Sequence, residues 1–213
     1  MSTEPKILAP GDTIGILGGG QLARMIALAA APLGLKAHIY APEEGSPAFD
    51  VASAHTRAAY DDFPALERFA KTVDVVTYEF ENVPVYTAEF LARHVPVHPG
   101  ARALGITQDR LEEKTFVSRL GIETAPFAAV HDEAELEAAL AEIGRPAVLK
   151  TRRFGYDGKG QVIIREGDDA AAAFAAVGRH PSILEGFVPF EREVSVVAAR
   201  TEDGRFKAYE VTE

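Results

Sequence analysis

The chain has 213 residues, of which 47% are hydrophobic and 25% charged, with a formal net charge of −10. This composition is ordinary for a globular protein with a buried core, and no basic run offers the surface that nucleic-acid-binding proteins need. The absence of cysteine excludes disulfides, zinc–thiolate sites and cysteine nucleophiles. Without a signal-peptide core or a membrane-length apolar run, the sequence predicts a cytoplasmic enzyme or binding protein with no membrane or nucleic-acid partner.

The first hundred residues alternate between short apolar strands and amphipathic helices. Strands are predicted at residues 13–17, 35–41, 73–80 and 95–98. Helices are predicted at residues 21–31, 64–72 and 84–93. Pro32 and Gly34 end the first helix, and β-branched residues are concentrated in the third strand. The alternation predicts an α/β fold with a Rossmann-like parallel sheet and helices on both of its faces.

After residue 100 the pattern changes to helices mixed with antiparallel strands. Helices are predicted from Thr107 to Leu120, within 131–146, and from Asp168 or Asp169 to Gly178. Strands are predicted at residues 147–151, 161–165, 182–187, 192–200 and 206–211, with a hairpin turn at 202–205. Thr107 is the expected N-cap of the first helix, and Asp132 with Glu135 predicts a capping box. This half is therefore expected to be α+β, and a last strand without a covering helix suggests a fragment of a longer protein.

A glycine turn follows the first strand in the segment GILGGGQLARM. Gly18, Gly20 and Ala23 loosely fit the dinucleotide-binding fingerprint, in which a helix N-terminus attracts an anion. A nicotinamide enzyme also needs an acidic residue at the end of the second strand, but here that strand ends at Tyr40-Ala41-Pro42. We favour a phosphorylated small molecule as the ligand, while a nicotinamide cofactor and a turn without any ligand remain open.

A second glycine-rich segment, TRRFGYDGKGQ at residues 151–161, joins two predicted strands and is called the glycine loop below. It lacks the Walker A frame. Gly155, Gly158 and Gly160 permit a mobile backbone, and Lys159 adds a positive charge. Such a loop can close over phosphates and donate backbone N–H groups to them, although an ordinary exposed hairpin is the alternative.

Two cations stand in unusual places near this loop. Lys150 lies in an otherwise apolar strand, where its charge requires a partner such as a phosphate, unless it is an edge-strand lysine. Arg110 lies near the start of a predicted helix, where the helix dipole disfavours a cation, unless neighbouring acidic residues neutralise it.

Two glutamates, Glu185 and Glu193, bracket the segment GFVPFER. A hinge at Pro189 would expose a backbone that can read a purine edge, and a nearby carboxylate can accept ribose hydroxyls. Each glutamate alone has the alternative of being an ordinary solvated side chain.

These features occur in the order of the nucleotide contacts of the ATP-grasp superfamily. Within it, the sequence resembles the N5-carboxyaminoimidazole ribonucleotide synthetase family from about residue 12 to its end. The resemblance is carried by GILGGGQLARM, TYEFENV, QDRLEEKTFV, LGIETAPF, VLKTRRFGYDGKGQ and FEREVSVVAAR. It implies a pre-ATP-grasp domain at 1–106, an ATP-grasp lid subdomain with its connecting helix at 107–187, and the incomplete start of a second ATP-grasp subdomain at 188–213.

The resemblance also implies roles for individual residues. Arg110 and Lys150 would contact ATP phosphates, and Glu193 would bind the ATP ribose. The lid over the phosphates would comprise Gly155, Tyr156, Asp157, Gly158, Lys159, Gly160 and Gln161, with Tyr156, Asp157 and Lys159 as the candidate catalytic residues. The adenine hinge would comprise Glu185, Gly186, Phe187 and Val188. Gly20, Gln21 and Glu79 would bind the ribonucleotide together with Tyr156 and Asp157, although Glu79 could instead cap the next helix.

The reaction implied by the resemblance joins bicarbonate to 5-aminoimidazole ribonucleotide with hydrolysis of ATP to ADP and phosphate. Magnesium is an expected cofactor whose ligands would lie beyond residue 213, and a homodimer is the expected assembly. We therefore expect these 213 residues alone to be inactive. The alternatives are another ATP-grasp ligase that joins a carboxylate to a different amine, a nicotinamide oxidoreductase and a non-catalytic nucleotide-binding module.

Overall fold

The first half of the chain forms a four-stranded parallel sheet in a computed structural model that describes residues 7–155, 158–201 and 203–213. The strands are β1 (Thr13–Leu17), β2 (Lys36–Ala41), β3 (Ala54–Arg57) and β4 (Val75–Tyr78). Their order is β3-β2-β1-β4, and Ile16 of β1 lies between Ile39 of β2 and Thr77 of β4. The parallel sheet predicted from the alternating pattern is confirmed, while β3 was not predicted.

Helices cover both faces of this sheet. They are α1 (Gln21–Ala30), continued by a 3-10 turn at Ala31–Leu33, α2 (Phe63–Ala70) and α3 (Val85–Leu91). Ile16 and Ile39 pack with the alanines of α1 on one side, and the adjacent Leu17 and Tyr40 pack with Phe69 of α2 on the other. Burial of successive strand residues on opposite faces is what a sheet enclosed between helix layers requires. The predicted strand at 95–98 is reduced to one parallel bridge between Val76 and Val97.

The second half contains an antiparallel sheet of the order β5-β8-β6-β7. Its strands are β5 (Phe127–Val130), β6 (Ala147–Thr151), β7 (Gln161–Ile164) and β8 (Ser182–Gly186), and its helices are α4 (Ala101–Thr107), α5 (Arg110–Arg119), α6 (Glu133–Ile143) and α7 (Ala170–Ala176). Leu149 and Leu184 pack against α6 and α7 in one buried cluster. The α+β prediction is confirmed, whereas β5 and α4 were not predicted.

Asp109, not Thr107, starts the helix that carries Arg110. Its carboxylate accepts hydrogen bonds from the amides of Leu111 and Glu112. Thr107 instead ends α4, where its hydroxyl donates to the carbonyl of Ala103, so it cannot cap α5. Arg110 is consequently the first residue of its helix, and the predicted capping role of Thr107 was wrong.

The final segment of the chain forms a short antiparallel hairpin. Its strands, β9 (Ala198–Arg200) and β10 (Phe206–Ala208), are shorter than the predicted strands, and one further bridge joins Ser195 to Thr212. The predicted turn includes Glu202, which lies outside the described residues. Across the described ranges, no helix is both long enough and apolar enough to cross a membrane.

His38 is a buried histidine on β2 that is hydrogen-bonded to β3 and to the residues after α2. Its Nε2 lies 2.9 Å from the Thr56 hydroxyl, and its Nδ1 lies 2.9 Å from the Thr72 hydroxyl. Burial lowers the pKa of His38 below its ordinary value of 6.5, and the charge of His55 lowers it further. The neutral imidazole is therefore the form that the folded protein accommodates.

We expect the stability of the fold to decrease as the pH falls below 6.5, because the unfolded chain then takes up a proton at His38 that the folded protein excludes. The contribution of one histidine cannot exceed about 1.4 kcal/mol per pH unit. Urea unfolding between pH 8 and pH 5 should therefore show a steeper loss in the unaltered protein than in His38→Gln. Parallel pH profiles for the two proteins would contradict this assignment.

Candidate functional site

The Arg110 side chain donates hydrogen bonds to the glycine loop at both ends of its segment 151–155. One guanidinium nitrogen donates to the carbonyl of Thr151 at 2.8 Å, and the other donates to the carbonyl of Gly155 at 3.0 Å. Its backbone N–H also donates to the carbonyl of Arg152 at 3.0 Å. A side chain at Gly155 would place its Cβ 2.7 Å from the Arg110 guanidinium, so glycine permits this close approach.

Asp109 forms a second contact with the same loop. Its carboxylate accepts two hydrogen bonds from Nε of Arg152, at 2.9 and 3.0 Å, and pairs with Nη2 of Arg152 at 2.8 Å. Burial by itself raises the pKa of Asp109, but the hydrogen bonds from Arg152 and from the backbone of α5 outweigh burial and lower it. The carboxylate therefore stays ionised while it caps the helix and holds the loop.

A crevice separates these residues from the first half of the chain. Its volume is about 290 Å³, and Glu81 of the parallel-sheet unit lines it together with Arg110, Arg153 and Gly155. The predicted cation and the glycine loop thus meet in one crevice between the two units. Arg110 offers hydrogen-bond donors to this crevice, because a guanidinium carries five N–H groups and the loop carbonyls take two of them.

Lys150 belongs to a second cluster on the α5 side of the antiparallel sheet. Its ammonium lies 3.0 Å from Glu185, and Lys114 of α5 lies 3.4 Å from the same carboxylate oxygen. Val148 pairs with Glu185, so Lys150, two residues further along β6, projects from the same face. β6 lies between β8 and β7, which contradicts the alternative that Lys150 is an edge-strand lysine.

Lys114 connects the two groups of cations. It lies four residues after Arg110 on α5, and this spacing places both side chains on one side of the helix. Lys114 also lies 5.9 Å from the centre of the Phe127 ring. The structure therefore brings Arg110, Lys150 and Glu185 to one side of the antiparallel sheet, around α5.

The candidates that follow Glu185 in sequence are the other three hinge residues and the ribose candidate Glu193, and they are more exposed than Glu185. Gly186 packs closely, since a Cβ there would lie 2.9 Å from Pro126, and its amide donates to the carbonyl of Pro126. Phe187 is 42% exposed and Val188 is 51% exposed. Glu193 is exposed on the segment after β8, and within the described part of the chain it forms no ion pair with the two lysines.

Glu79 occupies the N-terminus of α1 at the glycine turn. Its two carboxylate oxygens accept hydrogen bonds from the amides of Gly20 at 2.6 Å and of Ala23 at 2.7 Å. A Cβ at Gly19 would collide with Ser46 at 2.4 Å, so the other side of the turn is also filled. These contacts disfavour the nicotinamide interpretation, because the amides that would receive a pyrophosphate already hold a carboxylate. Glu79 caps α1, not the helix that follows it in sequence, which corrects the capping alternative.

Other candidates lie around these two sites. Gln21 is the exposed first residue of α1 and follows Gly20, whose amide donates to Glu79. Gly158 and Gly160 have φ of 75° and 70°, in the region that favours glycine, and Lys159 between them is exposed. Gln161 begins β7 opposite Lys150. Tyr156 and Asp157 lie outside the described residues, so their predicted roles remain predictions.

The sequence-based prediction missed four contributors to this site. One is Gln108, which lines the crevice, and the others are Asp109, Lys114 and Arg152. Asp109 was treated only as a neutralising neighbour, although an aspartate before an apolar-periodic segment is a signal of an N-cap. Lys114 could have been found from its spacing of four residues from Arg110. No local signal identifies Gln108 and Arg152, because their partners are distant in sequence.

No magnesium site can be assigned to this arrangement. Within residues 7–155, 158–201 and 203–213, no group of three or more histidine, cysteine, aspartate or glutamate side chains could hold a metal ion. Of the carboxylates described above, Glu185 lies between two ammonium groups, Asp109 pairs with Arg152, and Glu79 accepts hydrogen bonds from two backbone amides.

Comparisons with known proteins show which families the two halves of the chain resemble. Residues 12–108 match the ribonucleotide synthetase preATP-grasp domain family, and residues 115–213 match the ATP-grasp domain family. An N5-carboxyaminoimidazole ribonucleotide synthase of Brucella melitensis is 53% identical over 97% of this chain and 58% of its own length. One of Bacillus subtilis is 39% identical over 98% of this chain and 55% of its own length. The chain thus spans little more than half the length of these relatives.

Solved structures agree with the sequence comparisons. The ADP complex of an N5-carboxyaminoimidazole ribonucleotide synthetase superposes with a TM-score of 0.92 and 42% identity, over 98% of this chain and 55% of that one. An Aspergillus clavatus synthase in complex with ADP and 5-aminoimidazole ribonucleotide gives a TM-score of 0.85 and 28% identity, over 95% of this chain and 53% of that one.

We expect Glu185→Gln to lower the free energy of unfolding by about 1–3 kcal/mol, because it leaves two ammonium groups without their shared carboxylate. Lys150→Met should cost less, since Glu185 then keeps Lys114. Lys71→Met provides the matched control, because Lys71 pairs with Glu67 on the surface and such pairs contribute about 1 kcal/mol or less. Equal losses for Glu185→Gln and Lys71→Met in urea unfolding would show that the cluster is not a stabilising unit.

Proposed function

The chain belongs to the N5-carboxyaminoimidazole ribonucleotide synthase family of ATP-grasp proteins, and from this we propose that it contributes to the ATP-dependent carboxylation of 5-aminoimidazole ribonucleotide. The observation that carries the proposal is the crevice in which Arg110 and the glycine loop face Glu81 of the parallel-sheet unit. The Aspergillus clavatus relative was solved with ADP and 5-aminoimidazole ribonucleotide together, which supports one site for each ligand.

We propose that the cations of α5 and β6 hold the ATP phosphates. Arg110 uses two N–H groups on the loop carbonyls, and its other three can donate to phosphate oxygens. The Lys150 ammonium has three donors, of which one is directed to Glu185. The loop glycines Gly155, Gly158 and Gly160 and the charge of Lys159 would complete the enclosure, with Gln161 at the end of the loop.

The adenine and ribose of ATP are assigned to the end of β8 and the segment after it. Glu185, Gly186, Phe187 and Val188 lie next to the Lys150 cluster and would line the adenine. The amides of Gly186 and Phe187 donate to the carbonyls of Pro126 and Pro146, so the N–H of Val188 would be the donor to the purine edge. Glu193 would accept the ribose hydroxyls. Its exposure leaves it accessible to a ligand.

The ribonucleotide is assigned to the glycine turn, with Glu79 as its main polar contact. Two backbone N–H groups hold the Glu79 carboxylate, and its remaining lone pairs can accept hydrogen bonds from sugar hydroxyls. Gly20 and Gln21 would border the same ligand. We propose that Tyr156 and Asp157, in the middle of the glycine-loop sequence, also contact this ligand.

The proposed chemistry begins with transfer of the γ-phosphoryl group of ATP to a bicarbonate oxygen, which yields carboxyphosphate and ADP. The amine of 5-aminoimidazole ribonucleotide then attacks the carboxyl carbon, and phosphate leaves as the N–C bond forms. In the alternative route carboxyphosphate first divides into phosphate and CO2, and the amine attacks the CO2. In both routes the amine loses a proton, which phosphate can accept. Arg110, Lys150 and the loop amides would neutralise the charge on the phosphates, and closure of the loop would exclude water. Tyr156, Asp157 and Lys159 are the proposed catalytic residues.

Further features of the whole protein belong to the same proposal. Magnesium would accompany ATP, and its ligands are expected beyond residue 213. Bicarbonate is the proposed carbon source, a homodimer the proposed assembly and the cytoplasm the proposed location. The division at residues 1–106, 107–187 and 188–213 is the proposed domain organisation.

We expect Lys150→Met to weaken binding of a non-hydrolysable ATP analogue by about tenfold or more, because one charge-assisted hydrogen bond to phosphate is lost. Isothermal titration calorimetry measures this, with Lys71→Met as the control that removes a surface ammonium. Affinity for 5-aminoimidazole ribonucleotide should stay within about twofold. Unchanged ATP-analogue affinity in Lys150→Met would refute the phosphate assignment.

We expect Glu79→Gln to show the opposite selectivity. The amide cannot accept from both α1 N–H groups and carries no charge, so ribonucleotide affinity should fall about tenfold while ATP-analogue affinity is retained. Glu67→Gln, a surface substitution, is the control. In a chain extended to the length of the relatives, phosphate release that depends on bicarbonate and on this ribonucleotide, but not on other amines, would separate the proposed reaction from that of another ATP-grasp ligase.

A further inference from the structure

Gln108 is a buried polar residue that joins the two units of the chain. It is only 5% exposed. Its side-chain N–H donates to the carbonyl of Val83 in the parallel-sheet unit, and its side-chain oxygen accepts from Nη2 of Arg153 in the glycine loop at 2.9 Å. Both functional groups of one amide are thus used, one on each side of the crevice.

The Val83 end of this link is buried and lies close in sequence to the proposed ribonucleotide contact. Val83 is fully buried and belongs to the core beneath the parallel sheet. It is four residues from Glu79, which holds the glycine turn, and two residues from Glu81, which lines the crevice. A change in the 79–83 segment would therefore reach Gln108 through a single hydrogen bond.

The Arg153 end is attached to a segment with a strained backbone. Phe154 has a φ of 62°, in the left-handed region that is unfavourable for a residue with a side chain, and its ring is 67% exposed. It lies between Arg153, held by Gln108, and Gly155, held by Arg110. The contacts of these neighbours maintain this conformation, so loss of one contact should allow the loop to rearrange.

We propose that Gln108 is a positioning residue that couples occupancy of the glycine turn to the conformation of the glycine loop. The coupling runs from the 79–83 segment through Val83, Gln108 and Arg153 to the loop, and it would be present in addition to any direct contact from the loop tip. This inference rests on the proposed function, because it takes 5-aminoimidazole ribonucleotide as the ligand of the glycine turn.

Hydrogen exchange of the backbone amides in residues 151–161, with and without 5-aminoimidazole ribonucleotide, tests the coupling. In the unaltered protein we expect the ligand to slow exchange about fivefold or more, the lower end of typical coupling between sites. Gln108→Met and Arg153→Met should each reduce this response to about twofold or less. The double variant should respond like either single variant, because both substitutions break the same link.

The controls separate coupling from a purely structural role. Arg145→Met removes a comparable arginine that braces the far end of the β6–β7 hairpin through the carbonyls of Arg165 and Asp168, and it should keep the full response. Arg153→Lys retains a donor to Gln108 and should restore part of the response. If Gln108→Met fails to fold, Arg153→Met, at an exposed position, decides the question.

Three outcomes would overturn the inference. The first is an unchanged response in Arg153→Met, and the second is an equal loss in Arg145→Met. The third is a double variant in which the ligand response falls by the product of the two single-variant reductions. Calorimetry on the unaltered protein keeps the two proposals distinct, because a failure to bind the ribonucleotide would refute the proposed function and the inference with it. Normal binding with an unchanged response in the variants would refute the inference alone.

Discussion

Three consecutive side chains at the junction of α4 and α5 determine where the glycine loop begins. Gln108 holds Arg153, Asp109 holds Arg152, and Arg110 holds the carbonyls that flank them. Most of these bonds are charge-assisted, so they are stronger than ordinary hydrogen bonds between neutral groups. Because they connect three consecutive residues at the start of α5 to neighbouring residues in the loop, movement of the loop base is coupled to α5. The crevice between the two units takes its shape from this junction.

In the proposed site, carboxylates of the chain itself are bound to a helix N-terminus and to a pair of ammonium groups. Glu79 receives the amides at the start of α1, and Glu185 lies between the ammonium groups of Lys114 and Lys150. In both places the carboxylate compensates a positive charge or dipole that would otherwise face solvent or the interior unpaired. The donors are thereby held in fixed directions, which is the preorganisation that binding of a phosphate or a sugar hydroxyl requires. The proposed ATP and ribonucleotide sites share this design and are joined through Gln108.

Much of the fold was accessible from local patterns. The parallel sheet follows from alternating strands and helices, and the capping of α6 follows from Asp132, whose side chain accepts from the Glu135 amide. The other half of the predicted capping box differs, because the Glu135 carboxylate accepts from the amide of His131 and not from that of Asp132. The errors are at places where local preference is nearly balanced. Thr107 and Asp109 are both good N-caps, and only the folded chain shows that the Thr107 hydroxyl is bound to the preceding turn. β5 was missed because its four residues carry little periodicity, and pairing with β8 makes them a strand.

The sequence by itself identified the candidates for holding a nucleotide, which are the two glycine-rich segments and the side chains of Arg110, Lys150 and Glu185. Their spacing along the chain could not show which atoms they contact. The tertiary structure decided that Glu79 fills the α1 N-terminus, that Lys114 shares Glu185 with Lys150, and that Gln108 joins the two units. The physical reason is range: helix spacing and capping act over a few residues, whereas these contacts join residues 25 to 71 positions apart, whose proximity depends on how the sheets and helices pack.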